Sequence, residues 1–136
     1  MTTTIRPEVS RNNPNWISRH RYYELKHFCM QYPEWKKELE DISIYPRLSE
    51  HEIRSTDPSD PTVQIAAERE RHLGYIDLIN DVAKEVDPVL GIYILKGIVY
   101  GISYDFLKAR LDVPCGKEKY YELYRRFFSI LDKKKL

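Results

Sequence analysis

The sequence predicts an all-α fold, a small helical bundle of about five to six helices that ends in a helix-turn-helix. Three observations carry this expectation. Apolar residues recur at spacings of three and four through most segments. Two Asp-Pro steps, Asp60-Pro61 and Asp87-Pro88, are helix starts, with the aspartate as N-cap and the proline in the first turn. No segment shows a strand's period of two over any length; ISIY at 42–45 is the one short candidate, and it has no obvious partner.

The chain has 136 residues, 42% hydrophobic and 32% charged, a size and composition for one domain with a real core. Residues 1–15 are polar, with Pro7 and Pro14, and read as a mobile N-terminal arm. Residues 16–136 then read as a single helical domain. Its N-terminal helices occupy 16–45. The first begins near Trp16 and turns Tyr22, Leu25, Phe28 and Cys29 to one face. Pro33 either starts a second helix or kinks a longer one, since proline suits a first turn and not an interior. Trp35, Leu39 and Ile42 form the inner face of that segment. RLSEHEIRSTDPSDP marks a loop over 46–60, the clearest linker in the chain.

Core helices follow over 61–100. The first runs from Pro61 to about Val86, with an inner stripe of Ile65, Leu73, Ile76, Ile79, Val82, Ala83 and Val86. VLGIYILKGIVY is apolar nearly all round and reads as the central helix. Gly101 closes it, and Ser103 caps a short helix, YDFLKARL. DVPCG is a turn, and the last helix spans about Lys117 to Lys133. The stretch 101–136 therefore has the order of a helix-turn-helix. Phe106, Leu107 and Leu111 are expected inward, with Val113 plugging the turn. Tyr120, Tyr124, Phe127 and Leu131 are expected to form the buried face of the last helix.

Charge distribution points to a partner. Residues 101–136 hold nine Lys/Arg against five Asp/Glu, whereas residues 1–100 hold thirteen against sixteen. A basic end on a mildly acidic body suits an anionic partner, and a recognition helix suits duplex DNA. Lys117, Lys119, Tyr121, Arg125 and Arg126 are the candidate DNA-binding residues. Lysine and arginine bond guanine edges in the major groove, and tyrosine hydroxyls hold phosphates. Lys133 and Lys134 lie further out as phosphate contacts. The competing expectation is a purely structural bundle with a solvated basic face.

GISYDFLKARLDVPCGKEKYYELYRRFFSILDKK resembles the C-terminal helix-turn-helix of the RinA/ArpU-type phage transcriptional regulators, whose DNA-binding half is similar to sigma factor region four. YYELKHFCMQYPEWKKELEDI resembles their opening helices. VPCGKEKYY departs from the family, about two residues longer than its usual stretch before the tyrosine pair, which shifts the helix start; Lys119, Tyr121 and Arg125 are the residues expected on the major-groove face. The resemblance implies a phage or prophage DNA-binding regulator, of late genes, in the cytoplasm of a bacterial host cell.

Other classes are weighed alongside. A small terminase-like packaging subunit also uses a helix-turn-helix, but works as a ring. A protein-interaction module, such as an inhibitor of a host defence enzyme, would ignore DNA. Trp16, Tyr22 and Trp35 are candidate partner-binding residues, because tryptophan and tyrosine are enriched in binding hot spots. The partner there is host RNA polymerase or a second copy forming a homodimer on a two-fold site. The chain is not expected to be an enzyme. It has no phosphate-binding glycine loop and no nucleophile elbow, and no cofactor is expected. His27, Cys29 and Cys115 make a poor zinc set without a CxxC. Cys29 is expected in the core, and Cys115, before a helix start, is a candidate reactive thiol. The opening MTTTIRPEVSRNNPNW lacks the apolar core of a signal peptide, and no apolar run reaches the roughly 18 residues of a membrane helix.

Overall fold

The computed structural model describes residues 12–44 and 61–135. The fold is all-α, with helices α1 (Arg19–Met30), α2 (Tyr32–Ile44), α3 (Pro61–Val86), α4 (Gly91–Val99), α5 (Tyr104–Leu111) and α6 (Lys117–Lys134). The described residues contain no strand, and ISI at 42–44 completes α2. No helix among them is long and apolar enough to cross a membrane. Composition favours one domain, yet the chain divides into two compact units. One is Tyr32–Leu78; the other joins the residues up to Gln31 with those from Ile79 onward. The expected linker at 46–60, the Asp60 cap and residues 1–11 of the expected arm lie outside the described residues.

Local chemistry sets each boundary. Asn13 organises a turn where an arm was expected, accepting the Asn15 N–H on its side chain at 2.8 Å and the Trp16 N–H on its carbonyl at 3.0 Å. Helix α1 starts at Arg19 and not at Trp16, because Ser18 is its N-cap and accepts the Arg21 N–H at 3.3 Å. Pro33 sits in the first turn of α2, where its missing N–H costs nothing.

In the unit Tyr32–Leu78, the Trp35 ring stacks on His72 with centroids 5.6 Å apart, and Tyr75 lies 5.3 Å from the same indole. His72 Nδ1 donates to Glu38 Oε2 at 2.6 Å, tying α2 to α3. The inner stripe of α3 differs from expectation here. Ile76, Ile79, Val82, Ala83 and Val86 are buried, but Ile65 and Leu73 are each 46% exposed. Leu73 stands beside His72 and so is turned well off the buried line. Ile65 lies about two turns before His72, ahead of the buried stretch.

In the other unit, α4 and α6 each pack on α1, on each other and on α5. The core is Leu25, Cys29, Ile79, Val82, Ile94, Ile98, Leu107, Val113, Tyr120, Phe127, Phe128 and Leu131, all essentially inaccessible. Helix α4 is central as expected, although Ile92 remains 50% exposed. Asp87 is not its N-cap as expected: the helix starts at Gly91 after Leu90, and the Asp87 carboxylate accepts the Val89 and Leu90 N–H groups at 2.8 Å in the turn that precedes it. A Schellman turn ends it. Gly101 has φ +63°, the Ile102 N–H donates to the Gly97 carbonyl at 2.9 Å, and the Gly101 N–H donates to that of Ile98 at 3.3 Å. Arg21 joins the ends of the unit. Its Nε donates to Asp132 Oδ1 at 2.6 Å, and a second N–H donates to the Lys135 carbonyl beyond α6.

Gly97 sets how closely α4 approaches α6. A Cβ there would lie 2.0 Å from the Tyr120 hydroxyl, with the next neighbours at 3.2 and 3.3 Å. That hydroxyl is buried and has no hydrogen-bond partner among the described residues. Gly97→Ala should therefore destabilise the protein by about 2 kcal/mol through overpacking. Tyr120→Phe removes the obstructing atom and an unsatisfied polar group, so alone it should be near neutral or stabilising. In the Tyr120→Phe background the alanine should cost less than about 1 kcal/mol, aided by its better helix propensity. Urea unfolding of the double-mutant cycle checks this; additive losses would contradict it.

Candidate nucleic-acid interface

The helix-turn-helix segment is assembled from its own side chains. Ser103 is the N-cap of α5 and accepts the Phe106 N–H at 3.3 Å. Asp112 ends α5 in the left-handed conformation, φ 50°, which a short polar side chain tolerates better than most. Lys108 Nζ donates to the Val113 carbonyl at 2.8 Å and pairs with Asp112 Oδ1 at 3.2 Å. The Tyr104 hydroxyl donates to the Cys115 carbonyl at 2.6 Å. These bonds bridge the turn Asp112–Gly116 while Val113, 0% exposed, plugs it from inside. Helix α6 then begins after Gly116.

The buried face of α6 holds Tyr120, Leu123, Tyr124, Phe127, Phe128 and Leu131. The expected four are among them. Tyr124 and Tyr22 share a hydroxyl–hydroxyl bond of 2.9 Å, and Phe128 meets Tyr22 edge to face at 5.0 Å. Burial pushes the phenols of Tyr120 and Tyr124 well above the ordinary tyrosine value, and the Tyr22 hydroxyl adds to the shift at Tyr124. Both stay neutral and serve packing.

The candidate DNA-binding residues separate into distinct positions. Lys119, Arg126 and Lys133 are exposed, and with Glu122 they form one stripe at i, i+3, i+7 and i+14. The outer face is thus mixed in charge and not uniformly basic. Tyr121 and Arg125 are only half-exposed and sit on the flank. The Tyr121 hydroxyl accepts the Tyr104 N–H at 3.4 Å, and its ring packs on Tyr120 and Tyr124. Lys117 pairs with Asp105 at 3.5 Å, and Lys134 with Glu85 at 3.2 Å. The Asp87 carboxyl is held below its ordinary value, first by the Leu90 and Val89 N–H groups and further by the charges of Lys119 and Arg126.

Several expectations are corrected. Phe106 and Leu111 face solvent, 50% and 42% exposed: Tyr104 and Leu107 hold the inward line, Phe106 is a step off it, and Leu111 shares it but is the last residue of the helix. The Phe106 ring lies under the Arg110 guanidinium, 5.3 Å away. Tyr22 and Trp35, candidate partner residues, are 3% and 5% exposed and belong to packing; Trp16 is half-buried. Lys108 and Arg110, also on the helix-turn-helix surface, are basic residues whose exposure follows from the same short-helix geometry. Comparison of the chain with protein-family models, with curated proteins and with solved structures finds no match.

Of the two cysteines, Cys29 lies in the core as expected and Cys115 differs from expectation. Cys29 is fully buried, and burial pushes its thiol far above the ordinary value of 9.0. Cys115 precedes a helix start, yet burial outweighs the nearby Lys108 and Lys119 and raises its thiol as well. A raised pKa means less thiolate, and thus slower reaction, at any pH below it. Native protein at pH 8 should therefore react with a disulfide reagent more slowly than a free cysteine. Cys115 should react first, with a pH–rate midpoint above 9.0, and Cys29 only on unfolding. A fast native thiol at pH 7 would contradict this.

Proposed function

We propose that this protein is a phage-type regulator that binds duplex DNA and reads it with the outer stripe of α6. The observation that carries the reading is that α6 turns its large rings inward or to the flank while Lys119, Glu122 and Arg126 stand exposed from its first turn to its middle. The major groove, about 12 Å wide, admits a helix led by its N-terminal half. Arginine there bonds the guanine edge at two atoms, lysine bonds it at one, and a glutamate accepts from the cytosine amino group. A stripe of alternating charge favours base edges over uninterrupted phosphate contact. Lys133 lies further out for the backbone. The ion pairs of Lys117 and Lys134 are exposed, worth about 0–1 kcal/mol, and yield readily to a phosphate.

The resemblance of residues 101–134 to the RinA/ArpU-type regulators supports a role at phage late genes. Such a role brings host RNA polymerase, or a second copy on a two-fold site, as the partner. Fluorescence anisotropy with duplex DNA from the protein's genomic neighbourhood tests the reading. Lys119→Ala with Arg126→Ala should weaken binding roughly 30-fold or more and reduce preference among fragments. Lys133→Ala should weaken all fragments alike and lower the salt slope by about 1. Unchanged affinity in the double variant, or no binding at low salt, would overturn the reading.

A further inference from the structure

A concavity of about 340 Å³ opens between the second half of α1, the end of α4, the start of α5 and the flank of α6. Its polar and aromatic lining comes from Lys26, His27, Tyr100, Ser103, Tyr121 and Tyr124, and none of the residues lining it is acidic. Its hydroxyl side chains face it as donors. The Gly97 carbonyl, an acceptor at the end of α4, is taken by the Ile102 N–H group. The Ser103 hydroxyl accepts from the Phe106 N–H, and the Tyr121 hydroxyl from the Tyr104 N–H. Each hydroxyl thus uses an acceptor site on the backbone and keeps its own proton to donate. With the Lys26 ammonium and the His27 ring, the cavity gathers donors and positive charge. That is the chemistry of an oxyanion with several acceptor oxygens. At the rim, Tyr100 is 57% exposed and offers a ring face to a planar group.

We infer that this concavity is a phosphate-ester site that takes one nucleotide unit, its phosphate on Lys26, Ser103 and Tyr121 and its base against Tyr100. Two sources supply that chemistry, a free mononucleotide and a nucleotide of a DNA strand. The site does not depend on the Lys119–Arg126 stripe, and its test uses none of those residues.

The test is an amide NMR titration of the full chain with inorganic phosphate, with deoxyadenosine monophosphate, and with a short duplex, each at ionic strength matched by chloride. Saturable shifts are expected at Lys26, His27 and the amides from Gly101 to Phe106, with phosphate dissociation on the order of millimolar. The mononucleotide should bind about fivefold tighter than phosphate, a gain that Tyr100→Ala removes. Lys26→Ala should weaken both ligands roughly tenfold. Tyr121→Phe, which keeps the ring, should weaken both less than Lys26→Ala does. Melting curves report folding of each variant, and Tyr100→Ala, at an exposed rim position, retains the readout if another variant is destabilised. Tighter binding of the duplex than of the mononucleotide at the same amides assigns the site to the DNA strand; the reverse assigns it to a free nucleotide. No saturable shift with phosphate or mononucleotide, or equal affinity in the Lys26→Ala protein, would overturn the inference. That failure would leave the α6 stripe standing, because its own test substitutes other residues.

Discussion

Tyr120 pushes its hydroxyl against the backbone of Gly97, and the geometry of the larger unit follows from that contact. A side chain at 97 would begin 2.0 Å from the phenol oxygen, so α4 and α6 approach as closely as a bare backbone allows. Glycine inside a helix costs about 1 kcal/mol against alanine, and here the close approach offsets that cost. Packed this tightly, α6 buries Tyr120, Phe127, Phe128 and Leu131 against α1 and α4. Tyr22 on α1 meets the same rings through Tyr124 and Phe128. With eleven tyrosines and four phenylalanines in the chain, rings do much of the work that aliphatic residues do in other bundles. One consequence is polar. Tyrosine hydroxyls reach into the core; those of Tyr22 and Tyr124 satisfy each other and that of Tyr104 donates to the Cys115 carbonyl, whereas that of Tyr120 has no partner among the described residues.

The fold class and most helix limits were legible in the sequence, because they depend on local signals. Ser103, Gly101 and Pro61 act where their chemistry requires, at a cap, a left-handed turn and a first helical position. The buried face of α6 was legible because spacings of four, three and four leave one inward line. Legibility failed where two apolar neighbours compete for one line, as at Phe106-Leu107, and where a polar ring takes the inner place, as His72 does beside Leu73, since period alone does not choose the phase. It failed again for Tyr22 and Trp35, whose ring chemistry suits a hot spot and a core equally well. The division between Leu78 and Ile79 falls inside a continuous helix, with no breaker residue to announce it. The grouping of Lys26, His27 and Ser103 around one concavity joins distant parts of the chain and needs the fold to appear.

The charges of α6 show why composition alone overstates a basic surface. Lys117 and Lys134 pair with acids of neighbouring elements, and Glu122 interrupts the outer stripe. What remains exposed is a narrow line of alternating sign, which on the proposed reading selects bases and does not hold phosphates indiscriminately. Under the proposed function, the same helix has two separate tasks on opposite faces. Its rings hold the bundle together, while Lys119 and Arg126 on the outer stripe act on the Asp87 carboxyl and otherwise stand exposed.

Amide hydrogen exchange, followed residue by residue in the free protein and with duplex DNA in excess, tests this division of labour most directly. The account predicts that amides of Tyr120 to Leu131 are among the slowest in the free protein, exchanging only through global unfolding. Added DNA should slow exchange further in the turn at Asp112–Gly116 and the first two turns of α6. Fast exchange along the buried face, or DNA-dependent protection confined to other elements, would contradict it.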